Sequence, residues 1–325
     1  MVKFTVIVTE PINEAGLRLL GERNLNIIQM QPGSKEGDLL KIVSKADGLI
    51  TRGSIMVTRE MMAASPQLKA IGVHGMGYDH VDVAAARELG KVVFNTPDAL
   101  TVSVAEMTLA LMLALTRRVV AADKAVRAGD WNRKYGDLIG TDLAGRTVGI
   151  IGLGRVGAAV ARRLKAFDVG LLYYSRTRRR ELESYIDIEW AELDDLLSRS
   201  DVVSLHVPGT SETHHMIGPR EFGLMKQGVL VVNMARGRVI DQEALLDALM
   251  TDKVAGAALD VFEVEPLDPA HPLTAMDNVI LTPHLGASSL EGMQRMATQV
   301  AQGILDILDG KEPQNRVAWK KFFAL

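Results

Sequence analysis

Midway along the chain an apolar run, Val148, Ile150 and Ile151, enters Gly152-Leu153-Gly154-Arg155-Val156-Gly157, and Ala158 to Leu164 then reads as a helix. Strand, glycine turn and helix in that order point to one kind of unit, a parallel β-α-β layer. Gly152 permits the tight turn, Gly154 leaves room where a Cβ would block a pyrophosphate, and Gly157 lets helix and strand pack closely. The N–H groups of Arg155, Val156 and Gly157 at the helix start then face that anion. The chain holds 29 glycines, so the pattern owes its weight to the strand before it and the helix after it. A second cluster, Gly72-Val73-His74-Gly75-Met76-Gly77, also follows an apolar strand. No clear helix follows it, and it reads as a loop offering backbone donors to an anion.

Short runs rich in Val and Ile alternate with helix-like stretches on both sides of this segment. Phe4 to Thr9, Ile27 to Met30, Gly48 to Thr51, Ala70 to Val73 and Val92 to Phe94 form a first series. Val148 to Ile151, Leu171 to Tyr174, Val202 to Val207, Val229 to Asn233, Val254 to Leu259 and Val279 to Leu281 form a second. Two series imply two doubly wound α/β domains with parallel sheets, and 325 residues with 47% apolar side chains are enough to fill two cores. Between the series, Ser103 to Arg118 carries Val104, Met107, Leu111 and Leu115 at helical spacing, with apolar residues around most of its circumference. Such a helix must be buried on several sides, and Val104 to Leu115 is too short to span a bilayer. Gly129 to Leu143, with Trp131 and Tyr135, reads either as an arm across the surface or onto a second subunit, or as an ordinary surface loop. After the second series, Ser289 to Leu308 sets Met293, Met296, Val300, Ile304 and Ile307 on one stripe.

Charge and composition exclude several classes of function. A net charge of −3 with acids and bases interspersed offers no basic face, so no nucleic-acid partner is expected. With no cysteine, disulfides, thiolate metal sites and a thiol nucleophile are all excluded. Met1 to Thr9 lacks the cleavage pattern of a signal peptide, so a cytoplasmic protein without a membrane partner is expected. His80, His214, His215 and His271 have no ligand-like partners in sequence, and no metal site is expected.

Three segments close strands of the second series: Asn233-Met234-Ala235-Arg236-Gly237, Asp260-Val261-Phe262-Glu263-Val264-Glu265-Pro266 and Thr282-Pro283-His284-Leu285-Gly286. Strand ends are where open α/β sheets bind ligands. Together these segments supply a fixed cation for a carboxylate, a carboxylate to tune an imidazole, and an imidazole to move a proton near neutral pH.

With the mid-chain glycine fingerprint, these runs stand in the order and approximate spacing of the D-isomer-specific 2-hydroxyacid dehydrogenases, which the chain resembles from end to end. The resemblance implies a flavodoxin-like substrate domain, residues 1–98 plus 289–325, into which a Rossmann-type dinucleotide domain, residues 99–288, is inserted. It implies a site in the cleft between them and hydride transfer from NAD(P)H to a small 2-keto acid such as glyoxylate or hydroxypyruvate, giving a D-2-hydroxy acid. By the same resemblance, Arg236 takes the substrate's carboxylate and carbonyl, His284 carries the proton, and Glu265 holds His284 and favours its protonated form. Substrate contacts fall on Arg52 and on the backbone of His74, Gly75 and Met76. Asp260 lies by the nicotinamide amide, His206 and Pro208 lie along the cofactor, and Met234, Ala235 and Gly286 complete its contacts.

Related activities compete with this assignment. Arg52 falls where phosphoglycerate dehydrogenases of the family place a phosphate-binding arginine, while Val73 stands where some carry a second. Phosphite dehydrogenases share the Thr96 to Val102 stretch, which reads as a linker. Formate dehydrogenases carry glutamine where Glu265 stands, and L-type lactate and malate dehydrogenases place the fingerprint near the amino terminus. From another class, a cofactor-sensing corepressor on the same fold is the alternative.

The strand after the fingerprint ends in Tyr174-Ser175-Arg176-Thr177-Arg178, where NAD-selective sites place an acid about 20 residues on. Ser175 repels no 2′-phosphate, Arg176 and Arg178 are placed to pair with one, and the hydroxyls of Ser175 and Thr177 to donate to it, so NADPH is expected to serve at least as well as NADH. The apolar helix, the arm after it and the family's habit of pairing through this region lead us to expect a homodimer.

Overall fold

A computed structural model of the chain describes residues 4–317. The outermost ends of the expected substrate domain, residues 1–3 and 318–325, lie outside them. The chain divides into two compact units, Met1–Leu100 with Ala287–Leu325, and Thr101–Gly286.

In the first unit the Val/Ile runs form strands β1 (Thr5–Val8), β2 (Asn26–Gln29), β3 (Gly48–Thr51), β4 (Ala70–Val73) and β5 (Val92–Asn95). All pair in parallel, in the order β2-β1-β3-β4-β5. Strands β1, β3 and β4 are buried along their whole length, as continuous apolar runs covered on both faces must be. The Leu290–Leu308 helix seals one face. Its Ala297, Val300, Ala301 and Ile304 share a core with Val6, Val8, Ile50, Ala70 and Phe94, and each larger side chain there contributes about 1.5–3 kcal/mol. Close approach explains the small residues at this seam. A Cβ on Gly16 would lie 2.5 Å from the Ala297 carbonyl oxygen, and one on Gly303 would meet the Phe94 ring at 2.2 Å. Ser289 caps the helix, its hydroxyl accepting from Gly292 N at 3.0 Å.

In the second unit, β6 (Thr147–Ile151), β7 (Gly170–Tyr174), β8 (Glu189–Trp190), β9 (Val202–Leu205), β10 (Val229–Asn233), β11 (Val254–Leu259) and β12 (Val279–Leu281) form a parallel sheet. Its order is β12-β11-β10-β9-β6-β7-β8, and it reverses direction between β6 and β9. That is the doubly wound order with its crevice at the strand carrying the glycine fingerprint. Strand β8 has no counterpart in the sequence reading. At two residues, one of them exposed, it is too short to carry a period.

The expected linker at Thr96 to Val102 is not one. Pro97 opens a helix, Pro97–Thr116, as a proline at the first helical position favours. At 20 residues this helix is long and apolar enough to cross a membrane by length and composition alone, which corrects the shorter span expected from Val104 to Leu115. Of its most apolar stretch 56% is buried, and a core helix passes the same test. A second helix, Val119–Ala128, and a 3-10 turn, Trp131–Tyr135, follow it.

Candidate active site

The fingerprint adopts the backbone its glycines were expected to serve. Gly152 has φ +100°, and a Cβ there would sit 2.8 Å from the His206 carbonyl oxygen. A Cβ on Gly157 would come within 2.1 Å of the Gly152 oxygen, while one on Gly154 would meet nothing within 4 Å. Gly152 and Gly157 are demanded by packing. Gly154 leaves open space at the start of the Arg155–Leu164 helix, as a bound pyrophosphate requires. Val156 is buried.

At the end of β7 the Ser175 hydroxyl accepts a hydrogen bond from Leu153 N at 2.7 Å, tying this strand end to the fingerprint. Arg176 and Thr177 are exposed. Arg178 departs from expectation. Its guanidinium grips Glu183 through two hydrogen bonds of 2.7 and 2.8 Å and stacks on Trp190, so it is not available to a phosphate. His206 follows β9 half-buried, with Nε2 2.9 Å from the Ser204 hydroxyl. Burial lowers its pKa to about 4, which makes it a neutral imidazole. Pro208 is exposed.

The three strand-end segments converge at the carboxyl ends of β10, β11 and β12. Asn233, the last residue of β10 and 1% exposed, builds the first turn: its Oδ1 accepts from Ala235 N at 3.0 Å and its Nδ2 donates to the Arg236 carbonyl at 3.1 Å. The Arg236 guanidinium donates to the Ala235 carbonyl at 2.7 Å. Met234 and Ala235 are buried. Gly237 is present because nothing larger fits, since a Cβ would lie 1.8 Å from the Phe262 carbonyl carbon. Gly209 plays the same part against the Arg236 stem, at 2.8 Å from Cγ. No spacing in the sequence signals these two contacts.

Asp260 begins the second segment and holds the third. Its Oδ1 accepts from the Thr282 hydroxyl at 2.6 Å and Leu285 N at 2.7 Å, and its Oδ2 accepts from Gly286 N at 2.8 Å. It is 2% exposed. Asp260 therefore fastens the loop through three accepted hydrogen bonds, and a carboxylate has room for a fourth, so this holding role stands beside the cofactor contacts expected of Asp260 and Gly286. Gly286 is itself buried, and a Cβ on it would touch Asp260 and Met234 at 3.1 Å.

So fastened, the loop holds His284 at φ +55°, a left-handed backbone that non-glycine residues seldom adopt. His284 N–H donates to the Asp260 and Thr282 carbonyls, at 2.9 and 3.0 Å. Its Nδ1 meets Glu265 Oε2 at 2.8 Å, and Glu265 Oε1 accepts from Phe262 N at 3.1 Å. Burial alone would raise the Glu265 pKa. The hydrogen bond and charge of His284, the Phe262 N–H and the Arg236 charge outweigh it, and the carboxyl titrates below its ordinary range. An ionised carboxylate thus orients an exposed imidazole beside a guanidinium, an arrangement suited to moving a proton to or from an oxygen.

Arg52, His74, Gly75 and Met76 lie at the ends of β3 and β4 in the first unit. Arg52 N donates to Glu10 at 3.0 Å, and its guanidinium donates to the Pro11 carbonyl at 2.7 Å. His74 and Gly75 do not offer the expected donors. Their N–H groups bond the carbonyls of Thr51 and Val73, at 2.8 and 2.9 Å, leaving Met76 and Gly77 in that loop. The His74 ring is buried, and burial followed by the Arg52 charge lowers its pKa to about 4. No cluster of three or more metal-ligating side chains occurs among the described residues.

Residues 109–286 match the NAD binding domain of the D-isomer specific 2-hydroxyacid dehydrogenases. The chain is 44% identical to a glyoxylate reductase of Thermofilum pendens over 96% of its own length and 94% of that protein. It is 40% identical to a D-3-phosphoglycerate dehydrogenase of Archaeoglobus fulgidus, covering 96% of this chain but 59% of that one. Among solved structures it resembles an NADPH-dependent glyoxylate/hydroxypyruvate reductase of Sinorhizobium meliloti in complex with NADP and malonate. The TM-score is 0.87 at 31% identity, covering 98% of this chain and 97% of that one.

Proposed function

Because the chain belongs to the D-isomer specific 2-hydroxyacid dehydrogenase family, we propose that it is a cytoplasmic reductase converting a small 2-keto acid, glyoxylate or hydroxypyruvate first, to the D-2-hydroxy acid. The observation that carries this reading is the 2.8 Å contact between His284 Nδ1 and Glu265 beside Arg236, in the unit that bears the glycine fingerprint. When bound, the nicotinamide supplies the hydride. Its pyrophosphate would rest on the open space at Gly154 and the N–H groups of Arg155 to Gly157.

Arg236 pairs with the substrate carboxylate through two parallel N–H groups and orients the keto carbon. His284, protonated on Nε2, donates to the carbonyl oxygen as that oxygen gains charge, and in the reverse direction neutral His284 removes the hydroxyl proton. Glu265 keeps the ring aimed. NADPH serves at least as well as NADH, with Arg176 and the Ser175 and Thr177 hydroxyls receiving the 2′-phosphate. The NADP-bound relative supports this preference. Spectrophotometric NAD(P)H oxidation with a panel of keto acids tests the reading, and absence of turnover with every 2-keto acid overturns it.

Phosphoglycerate dehydrogenation is the second reading, motivated by Arg52 and by relatives of that name at 40% identity. It is the weaker one. Val73 offers no second cation, and the glyoxylate reductase relative is 44% identical against 40% for the phosphoglycerate dehydrogenase.

A further inference from the structure

The Asp260–Pro266 loop carries Glu265, yet beyond Phe262 little of it is packed. Val264 is 74% exposed and Glu263 and Pro266 are also on the surface. What fixes this limb is the Glu263 carboxylate. Its Oε1 accepts from His215 Nε2 at 2.7 Å and from Gln242 N, at the start of the Gln242–Met250 helix, at 3.2 Å. Glu263 N–H returns a bond to the Gln242 side chain at 3.4 Å. His215 is itself held at φ +49°, stacked on His214 with ring centroids 4.0 Å apart. Its N–H donates to the Arg238 carbonyl at 2.8 Å, and its Nδ1 lies 3.9 Å from Asp241. The segment just after Arg236, the His214–His215 segment and the loop that bears Glu265 therefore meet at one carboxylate.

We propose that Glu263, seated by His215 and Gln242 N–H, is a positioning residue that sets the aim of Glu265 at His284. The proposal rests on the reading of His284 as the proton donor. It follows from geometry: Glu265 lies two residues beyond Glu263, its Oε1 is spent on Phe262 N, and only its Oε2 reaches the imidazole. A shift of about 1 Å in this limb would break that single contact, and misplacements of that size cost catalysis heavily.

The test uses three variants of the whole chain. In Glu263→Gln the amide oxygen still accepts from both donors, whereas Glu263→Ala removes the seat. His284→Gln identifies the downfield proton resonance of the carboxylate-bound His284 Nδ1–H. We expect that resonance in the parent and in Glu263→Gln, and its loss in Glu263→Ala. With the preferred keto acid, kcat of Glu263→Ala should fall about tenfold with cofactor affinity unchanged, while Glu263→Gln stays within about twofold of the parent. A Glu263→Ala protein that keeps the resonance and its kcat while only its melting temperature falls would overturn the proposal, as would absence of the resonance in the parent. If the parent reduces no keto acid, the functional reading fails by itself, and the resonance alone decides the role of Glu263.

Discussion

His284 and Arg236 make the sharpest demands on single side chains. His284→Ala removes the proton donor without touching the glycine turn, so kcat should fall by about 10² to 10⁴ with cofactor affinity retained. Near-normal turnover would refute the role. Arg236→Lys should raise KM and lower kcat together, because an ammonium lacks the planar two-point fork. His74 governs stability. Its pKa is about 4 in the fold and about 6.5 in the unfolded chain, so between those values the unfolded state binds the extra proton. Stability contributed by neutral His74 is whole above pH 6.5 and is lost as pH falls toward 4, by up to about 3 kcal/mol. Denaturant titrations of the parent and His74→Leu at pH 7, 5.5 and 4 should show the parent losing its advantage across that window, and parallel losses would contradict the buried-histidine account. The motif residues His284, Glu265 and Arg236 were legible because their spacing follows strand ends. That the His74 imidazole is buried was not, because burial depends on what packs above it.

Among elements, the loop after β7 separates what sequence pattern conveys from what it hides. Its run of arginines reads as a cation cluster for a 2′-phosphate, but the turn toward the Arg180–Ile186 helix brings Glu183 under Arg178 and claims that guanidinium. Arg176 stays exposed. Arg176→Ala should therefore lower kcat/KM for NADPH about tenfold with little change for NADH, as loss of one charge-assisted hydrogen bond implies. Arg178→Ala should leave the cofactor preference unaltered. Equal effects of the two substitutions in steady-state assays with both cofactors would show that the Glu183 pairing does not decide the matter. Most strands were legible from their Val and Ile runs. The edge strand β8 was not, since two residues cannot show alternation, and the helix start at Pro97 was hidden because a proline-led polar turn resembles a linker.

For the molecule as a whole, the homodimer proposal rests on exposed apolar side chains that cluster in one stretch of chain. Val119, Val126, Trp131, Tyr135 and Ile139 are each more than half exposed, a concentration that soluble monomers seldom leave open. Light scattering at micromolar concentration should give twice the mass of the single chain, and Trp131→Asp with Tyr135→Asp should halve it; a parent that scatters as a monomer ends the proposal. Periodicity, turn chemistry and the order of its motifs let the sequence by itself determine two parallel α/β layers, the glycine turn and the placing of Arg236, Glu265 and His284 after strand ends, because each is written within a few consecutive residues. Only the tertiary structure decided that Asp260 fastens the histidine loop, that Gly237 and Gly209 are forced by neighbouring backbone and side chain, that Arg178 is taken by Glu183, and that Glu263 meets His215. Those contacts join residues whose separation along the chain carries no period, and their partners are chosen by which strand ends the sheet order brings side by side.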